Sequence, residues 1–116
     1  MGSKSYRTIT TDLTRAIGTL RKEIPDTTQG FSAMHNGAMK AGVLSELDKE
    51  LLALAIGIAK HCDGCIGFHV KALIRLGVTR EQLMEMLGVC IYMGGGPAYM
   101  AAGEALLAYE EFTAAK

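Results

Sequence analysis

Residues 49–73 read KELLALAIGIAKHCDGCIGFHVKAL, and the spacing of their apolar side chains decides the class of fold. Leu47, Leu51, Leu54, Ala55 and Ile58 recur at the three- and four-residue intervals of one helix face, and Ser45 with Asp48 resembles a capping box at its start. Leu52 and Ile56 give the same helix a second apolar face. A helix apolar on most of its circumference needs cover on several sides, more than a five- or six-helix chain of this size provides alone, so self-association is expected. The pattern breaks at Asp63-Gly64 and resumes through Phe68, Ala72, Leu73 and Leu76 to Gly77, which predicts a new helix starting at the cysteines.

The same period extends in both directions. Upstream, Leu13, Ala16, Ile17, Leu20 and Ile24 form a stripe that stops at Pro25; after the turn-like PDTTQG, Phe31, Met34, Ala38 and Met39 form another, with Gly42 at its exit. Downstream, Thr79 and Gln82 form a capping box for a helix carrying Leu83, Met86, Leu87, Cys90 and Ile91. Gly94-Gly95-Gly96-Pro97 ends that helix in a tight turn, and Pro97 fits the first turn of a last helix reaching Phe112. No stretch alternates with period two for long enough to make a strand. The expectation is an all-α chain: one compact domain over residues 1–116 with about five to six helices.

Composition narrows the function. The chain has 116 residues, 49% of them hydrophobic, with twelve Lys and Arg against twelve Asp and Glu. Formal neutrality leaves no global field to hold nucleic acid or an anionic membrane, so function must lie in a local site. Three cysteines are too few for a disulfide scaffold, and MGSKSYRTITTDL lacks the apolar core of a secretory signal. The longest apolar run, residues 51–59, falls far short of the roughly 18 residues that span a bilayer. A cytoplasmic location with reduced thiols is expected.

That site is centred on KHCDGCIGFHVK, residues 60–71. Cys62 and Cys65, three apart at a helix start, can reach disulfide separation without unfolding, and the helix N-terminus favours the thiolate. His69 stands four residues beyond Cys65, on the same face. Glu50 falls on the apolar stripe of the preceding helix, where a carboxylate is costly unless paired or used. A structural zinc needs four ligands; this segment offers three, and Cys90 belongs to the core stripe of its own helix. Covalent haem is excluded because Ile66 follows Cys65, so no cofactor or metal is expected. Plainer readings stand beside these: cysteines as small buried hydrophobes, Glu50 paired with Lys49 or Arg75, His61 as a solvated loop residue, and His35 as a packed or interface histidine.

The stretch quoted first, with GVTREQLMEMLGV at 77–89 and MGGGPAYMAAGEAL at 93–106, resembles the alkylhydroperoxidase D-like branch of the carboxymuconolactone decarboxylase family over residues 31–112. The family pattern is a glutamate, eleven residues, CxxC, three residues and a histidine, matched here by Glu50, Cys62, Cys65 and His69. The resemblance implies that Cys65 attacks a peroxide, Cys62 resolves the sulfenic acid, and His69 backed by Glu50 moves the proton. It also implies a hydroperoxide substrate, a lipoyl- or thioredoxin-like dithiol reductant, and a homotrimer or homohexamer. One departure stands: the best-known alkylhydroperoxidase has another histidine just before the second cysteine, and here that position is Gly64. Two alternatives are carried with the peroxidase or disulfide reductase reading. One is a lactone decarboxylase using His69 and Glu50, and the other is a non-catalytic redox-sensing oligomer.

Overall fold

The computed structural model describes residues 4–114. Five helices follow one another: α1 (Tyr6–Glu23), α2 (Pro25–Met39), α3 (Glu46–Ala59), α4 (Asp63–Arg75) and α5 (Arg80–Thr113). No strand occurs among the described residues. Local chemistry sets the helix starts. The hydroxyl of Ser5 accepts from Thr8 N, that of Ser45 from Asp48 N, and that of Thr79 from Gln82 N while Gln82 Oε1 accepts from Thr79 N.

Two expectations change in detail. PDTTQG is not a turn: it forms the opening turns of α2, with only Ile24 between α1 and α2. Proline lacks an N–H that a helix start leaves unbonded anyway, so Pro25 both stops α1 and opens α2. The glycine stretch acts as a kink rather than a loop, because only Gly95 (φ 73°, ψ −156°) leaves helical geometry inside α5. Such an angle is open to glycine and strained for other residues, which makes Gly95 the hinge between two helical segments.

The core lies between α3, α4 and the two segments of α5. Leu54 and Ile58 of α3, Ile66, Val70 and Leu73 of α4, and Leu83 of α5 are all at most 1% exposed. Each such burial contributes about 1.5–3 kcal/mol. The second segment of α5 presents Ala98, Ala101, Ala102, Ala105 and Ala108, small side chains that let it approach closely. Two glycines mark the tightest crossings. A Cβ at Gly57 would stand 2.9 Å from Cys65 Cβ, and a Cβ at Gly67 would stand 2.7 Å from Thr10 Cγ2. Thus α3 and α1 both press on α4, the helix that carries the cysteines and His69. By contrast, α2 buries no residue, and Phe31 and Met34 on it are more than 60% exposed.

Candidate active site

The turn between α3 and α4 sets the cysteines. His61 N donates to Ile58 O (3.1 Å) and Cys62 N to Gly57 O (3.0 Å), which closes α3 with His61 in the left-handed region (φ 55°). Glycine is the usual residue for that cap, and histidine is among the few others that enter this region readily. Cys62 is then the N-cap of α4, and its Sγ accepts from Cys65 N (3.1 Å) as a serine hydroxyl would. Cys62 and Cys65 are joined by a disulfide with a Cα separation of 5.2 Å, and both are partly exposed. When the pair is reduced, the free N–H groups and the dipole of α4 favour thiolate at this end.

One turn beyond Cys65 on the same helix, His69 Nδ1 lies 2.6 Å from Glu50 Oε1. The Glu50 side chain is 6% exposed and that of His69 25%. A buried carboxylate needs a partner, and Glu50 finds it in His69; the contact holds the proton on Nδ1 and leaves Nε2 as the ring nitrogen free to act as a base. The surface pairings weighed for Glu50 go elsewhere: Arg75 lies 4.0 Å from Glu46, and Lys49 donates to Lys40 O. Glu50 and His69 are thus joined across α3 and α4, and the Cys62–Cys65 pair lies at the start of α4, one turn before His69. Among the described residues, no group of three or more metal-ligating side chains comes together.

The first helix reaches the cysteine end of α4 through residues near its own start. Tyr6 is 1% exposed, and its Oη is 2.9 Å from Glu104 Oε1 and 3.2 Å from Asp63 Oδ1, the aspartate between the two cysteines. A phenol has one proton to donate, so Lys4 Nζ, 2.9 Å from Asp63, supplies the second partner. Burial foremost, then the hydrogen bond to Glu104, pushes the Tyr6 phenol far above its usual range, so it stays a donor at any physiological pH. Glu111 of α5 accepts from Ser5 Oγ (2.6 Å), Tyr6 N (2.7 Å) and Arg7 N (3.3 Å), which fixes the start of α1. Farther along α1, a Cβ at Gly64 would stand 2.7 Å from Leu13 Cδ1. The position without a histidine is therefore the one that α1 covers. A signal for this did exist, since Tyr6 and Ile9 continue the Leu13 stripe toward the N-terminus.

Two cavities flank these elements. One, of about 690 Å³, lies where α1, α2 and α4 meet and is lined by His69, Phe68, Phe31, His35 and Arg21, among others. His35 is thus not packed in a core: it is exposed, with Nδ1 3.4 Å from Asn36 Oδ1. The other, of about 600 Å³, is an apolar groove between α3 and α5 lined by Leu52, Ile56, Met86, Val89, Cys90 and Met93 and more, with none of the four site residues. Burial raises the Cys90 thiol above its ordinary value, which favours the protonated form near neutrality. No helix among the described residues is long and apolar enough to cross a membrane.

Known proteins agree with this architecture. A carboxymuconolactone decarboxylase family protein of Legionella pneumophila, crystallised in its apo form, superposes with a TM-score of 0.92 at 49% sequence identity, covering 93% of this chain and 96% of that one. An uncharacterised protein of Cupriavidus necator is 37% identical over 108 residues, 93% of this chain and 96% of its own. The alkyl hydroperoxide reductase AhpD of Mycobacteroides abscessus is 34% identical over 58 residues, half of this chain and 33% of its own. The sequence model of the carboxymuconolactone decarboxylase family matches residues 25–108, from the start of α2 into the last turns of α5. With that match spanning the helices that carry all four site residues, this chain belongs to the carboxymuconolactone decarboxylase family.

Proposed function

We propose that this protein is a thiol-dependent peroxidase or disulfide reductase that works through Cys62 and Cys65. The observation that carries the reading is the pairing of a disulfide at the start of α4 with a His69 whose Nδ1 is held by buried Glu50. His69 Nε2 takes the proton from the Cys65 thiol. The thiolate attacks the terminal oxygen of a hydroperoxide; an S–O bond forms, the O–O bond breaks, and the alkoxide leaves as alcohol with the proton returned by His69. Cys62 then attacks the Cys65 sulfur: the S–S bond forms, the S–O bond breaks, and hydroxide leaves as water with the Cys62 proton. Two electrons pass from the dithiol to the peroxide. An external dithiol of lipoyl or thioredoxin type returns them by exchange at the disulfide.

A second reading has its own support, because the Glu50–His69 pair needs no sulfur to abstract a proton from a carbon acid such as a lactone. One set of variants separates the two. Organic hydroperoxide is supplied with dithiothreitol or a dihydrolipoyl donor, and peroxide loss is followed for wild type, Cys62→Ser, Cys65→Ser and His69→Gln. Wild type is expected to turn over many times, Cys65→Ser not at all, Cys62→Ser only as fast as the added dithiol reduces the Cys65 sulfenic acid directly, and His69→Gln to slow by on the order of 10²-fold or more. Peroxide turnover that survives unchanged in Cys65→Ser would sink the thiol reading.

A further inference from the structure

The cavity beside His69 is built asymmetrically. Its inner wall is α4, with Phe68 and His69; Ile17 and Phe31 face it from α1 and α2. Its polar lining includes Arg21, Ser32 and Asn36, which also line a smaller cavity. Neither cavity has an aspartate or glutamate in its lining. Arg21 makes no ion pair among the described residues. A volume of about 690 Å³ is that of a small-molecule site.

The geometry points to an amphipathic anion as the molecule this cleft takes: a carboxylate held at Arg21, an apolar body between Ile17, Phe31 and Phe68, and the reacting end at His69. Guanidinium is the side chain best shaped for a carboxylate, which it grips with two parallel N–H bonds. Thr14 and Arg21 line the same face of α1, and seven residues of helix place their Cα atoms about 10 Å apart along the axis. Resting on the peroxidase reading for the chemistry at the reacting end, the substrate class is an organic hydroperoxide bearing a carboxylate. Arg21 and Ile17 lie in α1, ahead of the segment matched by the family, so this selectivity belongs to the first helix of this chain.

Two measurements test the cleft and the chemistry separately. Calorimetry of the oxidised protein with octanoate and with octan-1-ol reads binding alone. Octanoate is expected to bind more tightly than octanol, and Arg21→Gln to weaken octanoate about tenfold, the scale of one charge-assisted hydrogen bond. Steady-state turnover of a fatty-acid hydroperoxide against cumene hydroperoxide reads selectivity. The ratio of kcat/KM for the acid over the neutral substrate is expected to fall about tenfold in Arg21→Gln and further in Arg21→Glu. Equal octanoate binding by wild type and Arg21→Gln, or turnover of both hydroperoxides with an unchanged ratio, would overturn the anion cleft and leave the peroxidase reading standing. Arginine-dependent octanoate binding without turnover of any hydroperoxide would retain the cleft and sink the peroxidase.

Discussion

Glu50 shows how much one side chain decides here. An ionised carboxylate inside α3 is costly to bury, and its one short contact, 2.6 Å to His69 Nδ1, both offsets that cost and fixes the imidazole. Glu50→Gln keeps the volume and removes the charge, and the amide can hold the ring in the wrong tautomer. Peroxide turnover is therefore expected to fall by on the order of 10²-fold while far-UV circular dichroism and the Cys62–Cys65 disulfide persist; unaltered kinetics would show that the pair is structural only. This site was legible from spacing because each member answers a local rule: the acid stands out on an apolar stripe, and the histidine follows the second cysteine by one turn. The conformation of His61 was not legible. Its positive φ follows from the way α3 must close for Cys62 to cap α4, and composition carries no trace of that requirement.

At the scale of elements, α1 is the part of the fold least visible beforehand, because long-range polar contacts hold it. Its apolar stripe was readable; the bonds from Ser5, Tyr6 and Arg7 to Glu111, more than 100 residues away, were not. Those bonds, that from Ser5 first, hold the Glu111 carboxyl below its ordinary value of 4.5. A carboxylate depressed in the folded state stabilises above its unfolded pKa, and that stability is lost as pH falls through the lower folded value. Glu111→Gln should accordingly cost about 1 kcal/mol at pH 7, after allowance for solvent screening, and the gap to wild type should close well below pH 4.5. Urea midpoints at the two pH values measure it; a gap that persists in acid would place the contribution in packing instead of charge. The opening of α2 was missed for a related reason, since a proline that ends one helix also suits the first position of the next.

For the molecule as a whole, the second face of α3 is left uncovered within the chain. Leu52 and Ile56 are 56% and 58% exposed, and across the groove Val89 and Met93 of α5 are 62% and 75% exposed. These residues adjoin one another along an apolar cleft, whereas a monomer in water scatters its exposed hydrophobes singly. Zero formal net charge removes long-range repulsion between identical copies, so a second copy of this chain is the occupant we propose for the groove. The proposal keeps the site free, since none of Glu50, Cys62, Cys65 and His69 lines that groove. Ile56→Glu places a carboxylate where it is tolerated in a monomer but unpaired and desolvated in an assembly. Sedimentation should then report an oligomer for wild type and a folded, smaller species for the variant, with the Cys62–Cys65 disulfide still able to form. Wild type that sediments as a monomer at every concentration would remove self-association, and the groove would have to be explained by another apolar partner.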